Sequence, residues 1–177
     1  MQRYQAGDAT AFPGVYRAIS ERVYGFLVRS TGNRAVADDL LQEVFLKIHR
    51  ARASYRPGSP VLPWAFAIAR HAAISRARSA GRRGRREEVR EDLSDAPNPE
   101  PEAGVDDPRL DEVQAAIDRL PGPQREALLL LKVSGLSLKE AAEATGASVG
   151  AIKLRAHRAY EAIRSALAKK KKEGGAS

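Results

Sequence analysis

Apolar residues recur every three or four positions through most of the first 80 residues, a spacing typical of amphipathic helices. It predicts a helix over residues 9–30, a second from Arg34 to about Arg50 behind the potential N-cap Asn33, and a third from about Pro63 to Ser79. The predicted inward-facing positions are Phe12, Val15, Tyr16, Ile19, Val23, Phe26 and Leu27, then Ala37, Leu40, Leu41, Val44 and Ile48, then Trp64, Ala67, Ile68, Ala72 and Ile74.

The last third of the chain predicts four more helices, of which the final two form a helix-turn-helix. Ser137 and Glu140 have the spacing of a capping box, Gly146 suits the turn, and Ser148 can cap the second helix. In this motif the second helix enters the major groove of DNA. A solvated basic face on an ordinary helical hairpin is the alternative. The second helix has an inner stripe of Val149, Ile152, Ala156, Ala159 and Ile163, and its outer face carries Lys153, Leu154, Arg155, His157 and Arg158.

Charge divides the chain into two basic modules and an acidic connector. The 177 residues carry a net charge of +8, which favours a polyanionic partner. Residues 87–107, by contrast, carry nine acids against one arginine. With three prolines and few large apolar residues, residues 81–107 are predicted to be a flexible linker. The acidic stretch, if extended, reaches about 70 Å, which is about two turns of DNA.

Several functional classes are excluded by composition. The chain has no cysteine, so it has neither disulfides nor thiolate metal sites, and its three histidines are scattered. It has no secretory signal and no apolar run near the roughly 20 residues of a membrane span. No nucleophile set, acid–base pair or phosphate loop is present. The sequence therefore predicts a cytoplasmic protein that is not an enzyme, has no cofactor or metal and does not insert into a membrane.

Two further surfaces of the first module stand out. One helical face collects Asp39, Gln42, Glu43 and Leu46, opposite the apolar stripe. An apolar side chain among acids suits a protein partner, although a solvated face is also compatible with the pattern. The other surface combines an aromatic-ended loop with a basic helix, a combination that can stack and hold an extruded base; a core position is the alternative for Trp64. Its members are Tyr55, Arg56, Ser59, Trp64, Arg70, His71, Ser75, Arg76 and Arg78.

These motifs, in this order, resemble the small two-domain extracytoplasmic-function (ECF) sigma factors of bacterial RNA polymerase. Residues 33–50 (NRAVADDLLQEVFLKIHR) are similar to the family's polymerase-docking helix, and residues 64–71 (WAFAIARH) to the tryptophan-led helix that follows it. Residues 120–128 and 135–159 are similar to its promoter-recognising domain. The resemblance covers nearly the whole chain except the linker and the lysine-rich end.

The resemblance implies a role for each surface. Asp39, Gln42, Glu43 and Leu46 would dock on the β′ clamp helices of core RNA polymerase, with further contacts to the β subunit. The loop and basic helix, Tyr55 to Arg78, would capture the −10 promoter element, and Ser148, Lys153, Leu154, Arg155, His157 and Arg158 would face the −35 element. Leu154 offers only apolar contact, for example to a thymine methyl group. An anti-sigma factor is a further expected partner.

The overall expectation is an all-α protein of two small helical domains. Residues 1–80 would form the polymerase-docking and −10 domain, residues 81–107 the linker, residues 108–168 the −35 domain, and residues 169–177 a disordered basic tail. Its function would be to direct polymerase to specific promoters and to assist promoter melting. A stand-alone DNA-binding regulator and a sigma-like decoy for an anti-sigma factor remain alternatives.

Overall fold

The structure is a computed structural model that describes residues 1–87 and 108–173. These ranges contain eight α-helices and no strand, so the all-α prediction is confirmed. Residues 88–107 of the predicted linker and residues 174–177 of the predicted tail lie outside the described residues. The helices are α1 (Gln2–Gln5), α2 (Phe12–Thr31), α3 (Arg34–Ala51), α4 (Val61–Glu87), α5 (Pro108–Asp118), α6 (Gly122–Leu128), α7 (Leu138–Thr145) and α8 (Val149–Glu173).

Helices α2, α3 and α4 pack against one another to form the N-terminal module. Helix α2 ends at Gly32, whose φ of +67° is the left-handed conformation that glycine adopts without strain. The Asn33 side chain then accepts a hydrogen bond from the backbone N–H of Val36 at 3.0 Å, so it caps α3 as predicted. The side chains that close this core are fully buried: Ile19, Val23, Leu27, Val44, Ile48 and Phe66.

The C-terminal module contains the predicted helix-turn-helix. Ser137 and Glu140 form a capping box at the start of α7, and Gly146 ends α7 with a φ of +70°. The Ser148 hydroxyl accepts a hydrogen bond from the backbone N–H of Ala151 at 3.1 Å, which caps α8. Ile152 belongs to the inner stripe of α8 and is fully buried, so this side of the second helix packs into the core.

The two modules are packed against each other in this structure. Helix α4 contacts α7, and α2 contacts a π-helical segment, Leu129–Val133, that continues α6. One buried apolar cluster therefore runs from α2, α3 and α4 into the C-terminal module. Its C-terminal members include Ala127, Leu129, Leu130, Leu136, Ala141, Ala142, Ala144 and Ile152.

The structure differs from the sequence-based expectation at several element ends. Helix α4 continues to Glu87, past residue 80, and α8 continues to Glu173, so residues 169–173 are helical rather than disordered. The reason is that arginine and lysine are good helix formers and no proline interrupts either run. The predicted inner position Val149 is wrong, since its side chain is 45% exposed in the first turn of α8. Residues 9–11 form a 3-10 turn rather than the start of α2.

Candidate nucleic-acid and protein interfaces

The outer face of α3 presents an apolar side chain within an acidic surround. Asp39, Gln42 and Glu43 are exposed, and the Leu46 side chain is 57% exposed. Glu43 forms an ion pair with Lys47, with 2.6 Å between Oε1 and Nζ. The opposite face of α3 is held in the core by Val44 and Ile48. The four predicted residues thus share one accessible surface, which we call the α3 face.

Tyr55 lies on the inner side of the loop before α4 and stabilises it. Tyr55 is buried, and its hydroxyl donates a hydrogen bond to the carbonyl of Ser59. Its carbonyl accepts a hydrogen bond from the Gln5 side-chain amide at 2.5 Å. The ring meets Trp64 edge to face, with 5.3 Å between ring centroids. Tyr55 therefore supports the loop and the tryptophan, and in this arrangement its ring is not presented to a base.

Trp64 and Arg56 lie closer to the surface than Tyr55. Trp64 is half-buried at the edge of the core, and Arg56 is exposed on the loop. The half-burial of Trp64 fits the predicted core position and leaves part of the residue exposed. Gly58, with a φ of +82°, lets the chain turn between the two prolines of the loop.

The basic side chains of α4 differ in accessibility. His71, Ser75 and Arg78 are exposed, and their i, i+4, i+7 spacing places them on one face. Arg76 is also exposed, but the spacing places it away from that face. Arg70 is 24% exposed, and its Nε lies 2.6 Å from Oε1 of Glu126 in α6. Of this predicted set, Arg70 is thus engaged by the other module.

The outer face of α8 is accessible between residues 153 and 158. Lys153, His157 and Arg158 are exposed, Arg155 is partly exposed, and Leu154 is 48% exposed between them. Nε2 of His157 lies 3.6 Å from Oε1 of Glu161, one turn further along α8. Ser148 is exposed, but its hydroxyl is occupied in capping the helix. The structure therefore brings the predicted residues together on one mostly cationic surface, which we call the α8 face.

Electrostatics also fix the start of the helix-turn-helix. Hydrogen bonds from the backbone and side chain of Ser137 hold the pKa of Glu140 below its ordinary value, and the nearby charge of Arg22 acts in the same direction. A carboxylate that is ionised and hydrogen-bonded at this position also complements the dipole of α7. These interactions stabilise the first turn of α7, the first helix of the motif.

Sequence patterns miss the side chains that join the modules. Arg22 donates a hydrogen bond from Nε to the carbonyl of Ser134 at 2.6 Å, across 112 residues of sequence. Glu126 contacts Arg70 across 56 residues. No local spacing rule connects such pairs. The sequence offers one indication of such a contact: Glu126 is an isolated acidic residue beside an apolar run in a basic module.

Within residues 1–87 and 108–173, no three His, Cys, Asp or Glu side chains come together in a way that would hold a metal ion. Across the same ranges, no helix has the length and apolar content that a membrane span requires.

Each of the two modules matches a known protein family. Residues 15–83 match the family described as Sigma-70 region 2, and residues 110–163 match Sigma-70 region 4. The RNA polymerase sigma factor CarQ of Myxococcus xanthus is 39% identical over 169 residues, which cover 94% of this chain and 95% of that protein. The chain belongs to the ECF class of the sigma-70 family. As a sigma factor, it supports promoter-specific initiation of transcription by RNA polymerase.

Other relatives of this sigma factor agree. The ECF sigma factor SigE of Mycolicibacterium smegmatis is 35% identical, over 94% of this chain and 66% of that protein. A solved structure of RpoE in complex with the anti-sigma factor NepR, from Bartonella quintana, has a TM-score of 0.73 and 27% identity, with 90% of this chain and 98% of that chain covered. CnrH in complex with the cytosolic domain of CnrY has a TM-score of 0.71 at 23% identity, over 95% and 94% of the two chains, a likeness of fold.

Proposed function

We propose that this sigma factor docks on core RNA polymerase through the α3 face. The observation that carries this assignment is Leu46, a leucine that is 57% exposed among acidic and polar neighbours. An apolar side chain surrounded by polar groups matches the apolar centre and polar rim of a protein–protein interface. The rest of the N-terminal module is basic, so its one acidic face is unsuited to DNA. Its partner would be the β′ clamp helices, with further contacts to the β subunit.

Trp64 and the loop before it are proposed to capture a −10 base once it leaves the duplex. The Tyr55 ring packs against the half-buried indole of Trp64 and limits its movement. The indole therefore offers a rigid surface for stacking. His71, Ser75, Arg76 and Arg78 supply polar and cationic groups along α4 for the adjacent strand. Binding only the unpaired base shifts the promoter toward its melted form, because affinity for one state moves the equilibrium toward it. The chain itself performs no bond chemistry.

The α8 face is proposed to enter the major groove at the −35 element. Lys153, Arg155 and Arg158 can bind phosphates or the acceptor edge of guanine, and Leu154 can contact a thymine methyl group. The glycine turn between the two helices and the cap at the start of each one hold the second helix in position. In a helix-turn-helix, this second helix enters the major groove. Ser148 contributes by starting that helix at a defined position.

The wider assignments are proposals of the same kind. We place the −10 domain in residues 1–80 and the −35 domain in residues 108–168, with residues 81–107 between them as the linker. An anti-sigma factor is a proposed partner, supported by the similar protein RpoE, whose solved structure contains one. The proposed place of action is the cytoplasm, where the polymerase works.

Reconstitution with purified core polymerase tests the proposal as a whole. The mixture should form a stable complex and start transcripts at defined positions on templates that contain matched −10 and −35 elements. Mapped start sites would identify both elements. DNA binding without a polymerase complex would support a stand-alone regulator, and binding to an anti-sigma factor without selective initiation would support a decoy. Either result overturns the proposal.

A further inference from the structure

Helix α1 lies before residues 15–83, the part of the chain that matches Sigma-70 region 2, and it contacts the 3-10 turn Arg52–Ser54. The side-chain amide of Gln5 donates two hydrogen bonds there, to the carbonyl of Ala53 at 3.3 Å and to the carbonyl of Tyr55 at 2.5 Å. Both carbonyls lie at the end of the turn, where the last carbonyl groups of a helical segment have no partner within it. Gln5 thus supplies the missing donors at the point where the loop before α4 begins.

Helix α1 is itself fixed by tertiary contacts of Tyr4. The Tyr4 side chain is buried, and its hydroxyl shares a hydrogen bond with Nδ1 of His49 at the end of α3, with 2.5 Å between the two atoms. The Tyr4 ring also packs against Phe12, with 5.4 Å between ring centroids. A helix of four residues is not stable alone. These contacts therefore determine where Gln5 lies.

The contacts of Tyr55 extend from the turn to the other end of the loop. Its hydroxyl donates to the carbonyl of Ser59, and its ring meets Trp64 edge to face, with 5.3 Å between ring centroids. The backbone of Tyr55 is therefore held by Gln5, while its side chain holds Ser59 and the indole. A continuous series of contacts leads from α1 to Trp64.

We propose that Gln5 is a positioning residue, which fixes the loop before α4 in the conformation that holds Trp64 ready for an unpaired −10 base. This inference rests on the proposed function of that loop. A loop that is already ordered in its binding conformation loses less entropy when the base binds. Loss of the Gln5 contacts therefore weakens base capture and reduces discrimination between −10 sequences, while the α3 face and the α8 face keep their partners.

The hydrogen-bonding character of Gln5 can be reversed with little change in shape. Gln5→Glu places an ionised carboxylate, which accepts hydrogen bonds and cannot donate them, against two carbonyl oxygens. Gln5→Ala removes the donors without adding charge. Gln5→Lys keeps donors at the end of the side chain and is the rescue variant. Gln2→Glu, at an exposed position of the same helix, is the matched control for the added charge.

Trp64 is the only tryptophan of the chain, so its fluorescence reports on the loop directly. In the full-length protein, without DNA or polymerase, Gln5→Glu should raise the acrylamide quenching constant of Trp64 and shift its emission to longer wavelength. Gln5→Ala should give a smaller change in the same direction. Gln2→Glu and Gln5→Lys should stay close to wild type. Quenching in Gln5→Glu that equals either wild type or Gln5→Lys overturns the inference.

Transcription assays with core polymerase provide the functional readout. Gln5→Glu should lower the yield of open complex about fivefold, the effect of about one net hydrogen bond. The ratio of yields on a matched template and on a template with one altered −10 base should also fall. Binding to core polymerase and to a −35 duplex should be unchanged. A general loss of structure in the N-terminal module would instead weaken polymerase binding as well, which overturns a specific role for Gln5.

The outcomes separate this inference from the proposed function. If Gln5→Glu loosens the loop but leaves the open-complex yield and the −10 discrimination at wild-type values, Gln5 does not position the loop for base capture, and the proposed function stands. If the wild-type chain itself does not initiate at defined positions, the proposed function fails, and the assignment of Gln5 to −10 capture fails with it. Wild type is therefore assayed first on each template.

Discussion

The Ser137 hydroxyl accepts a hydrogen bond from the backbone N–H of Glu140 at 3.2 Å, and the Glu140 carboxylate accepts one from the backbone N–H of Ser137 at 2.8 Å. This reciprocal pair begins the helix-turn-helix. We expect Ser137→Ala to lower the free energy of unfolding by about 1 kcal/mol, measured by urea denaturation. Ser165→Ala, at an exposed position inside α8, is the matched control and should cause no loss. Equal stability of the two variants would show that the cap contributes nothing.

The same pair gives stability a defined dependence on pH. The pKa of Glu140 lies below its ordinary value of 4.5 in the folded chain. Its contribution is therefore present above the unfolded-state pKa and is lost as pH falls through the folded-state pKa. Glu140→Gln keeps an acceptor but no charge. The stability difference between wild type and this variant should be constant from pH 7 to pH 5 and shrink below about 4.5. A difference that persists unchanged at pH 3 would contradict the assignment.

Two exposed leucines allow the two binding surfaces to be tested against each other. Leu46 is 57% exposed on the α3 face and Leu154 is 48% exposed on the α8 face. We expect Leu46→Ala to weaken core polymerase binding about tenfold, as truncation of a hot spot does, and to leave binding of duplex −35 DNA unchanged. Leu154→Ala should do the reverse. Fluorescence titrations with each partner measure both effects, and thermal unfolding checks that neither variant is destabilised. Identical profiles for the two variants would refute the assignment of the surfaces.

The features that sequence predicts well are those determined locally. The caps Asn33, Ser137 and Ser148 and the turn at Gly146 each depend on neighbours within about four residues, and all are present. The exposure of Asp39, Gln42, Glu43 and Leu46 follows in the same way, from the helical repeat around a buried stripe.

Local sequence patterns do not predict which distant residues pack together. The patterns predict two modules on a linker, but Arg70 finds Glu126 and Arg22 finds Ser134 only because the tertiary structure brings α2 and α4 to the other module. Tyr55 shows the same limit within one module. An aromatic residue in a loop fits a base-stacking role, yet its hydroxyl finds the Ser59 carbonyl and its ring becomes buried. Helical periodicity identifies which residues of a helix face inward, but it does not predict which loop residues become buried.

Trp64 is expected to act in promoter opening and not in duplex binding. Stacking of one base on an aromatic ring is worth about 1–3 kcal/mol, so Trp64→Ala should reduce the yield of open complex about tenfold or more, followed by permanganate reactivity of unpaired thymines. Trp64→Phe keeps an aromatic ring against Tyr55 and should retain most of the activity. Binding to a −35 duplex is the internal control and should be unchanged in both. Equal defects in Ala and Phe variants would indicate a loss of packing, because the ring itself would then make no difference.

Arg158 tests whether the α8 face binds the DNA backbone. It is exposed on the same side of α8 as Leu154, one turn further along. If its guanidinium neutralises one phosphate, Arg158→Ala should weaken −35 binding for all sequences alike. It should also make the slope of log affinity against log salt concentration shallower by about 0.9, since one fewer counterion set is released. Arg17→Ala is the matched control: this arginine is also exposed, but it lies on α2 in the N-terminal module, so its removal should leave the slope for the −35 duplex unchanged. A loss of affinity confined to templates with one altered base, with the salt slope preserved, would instead assign Arg158 to base recognition.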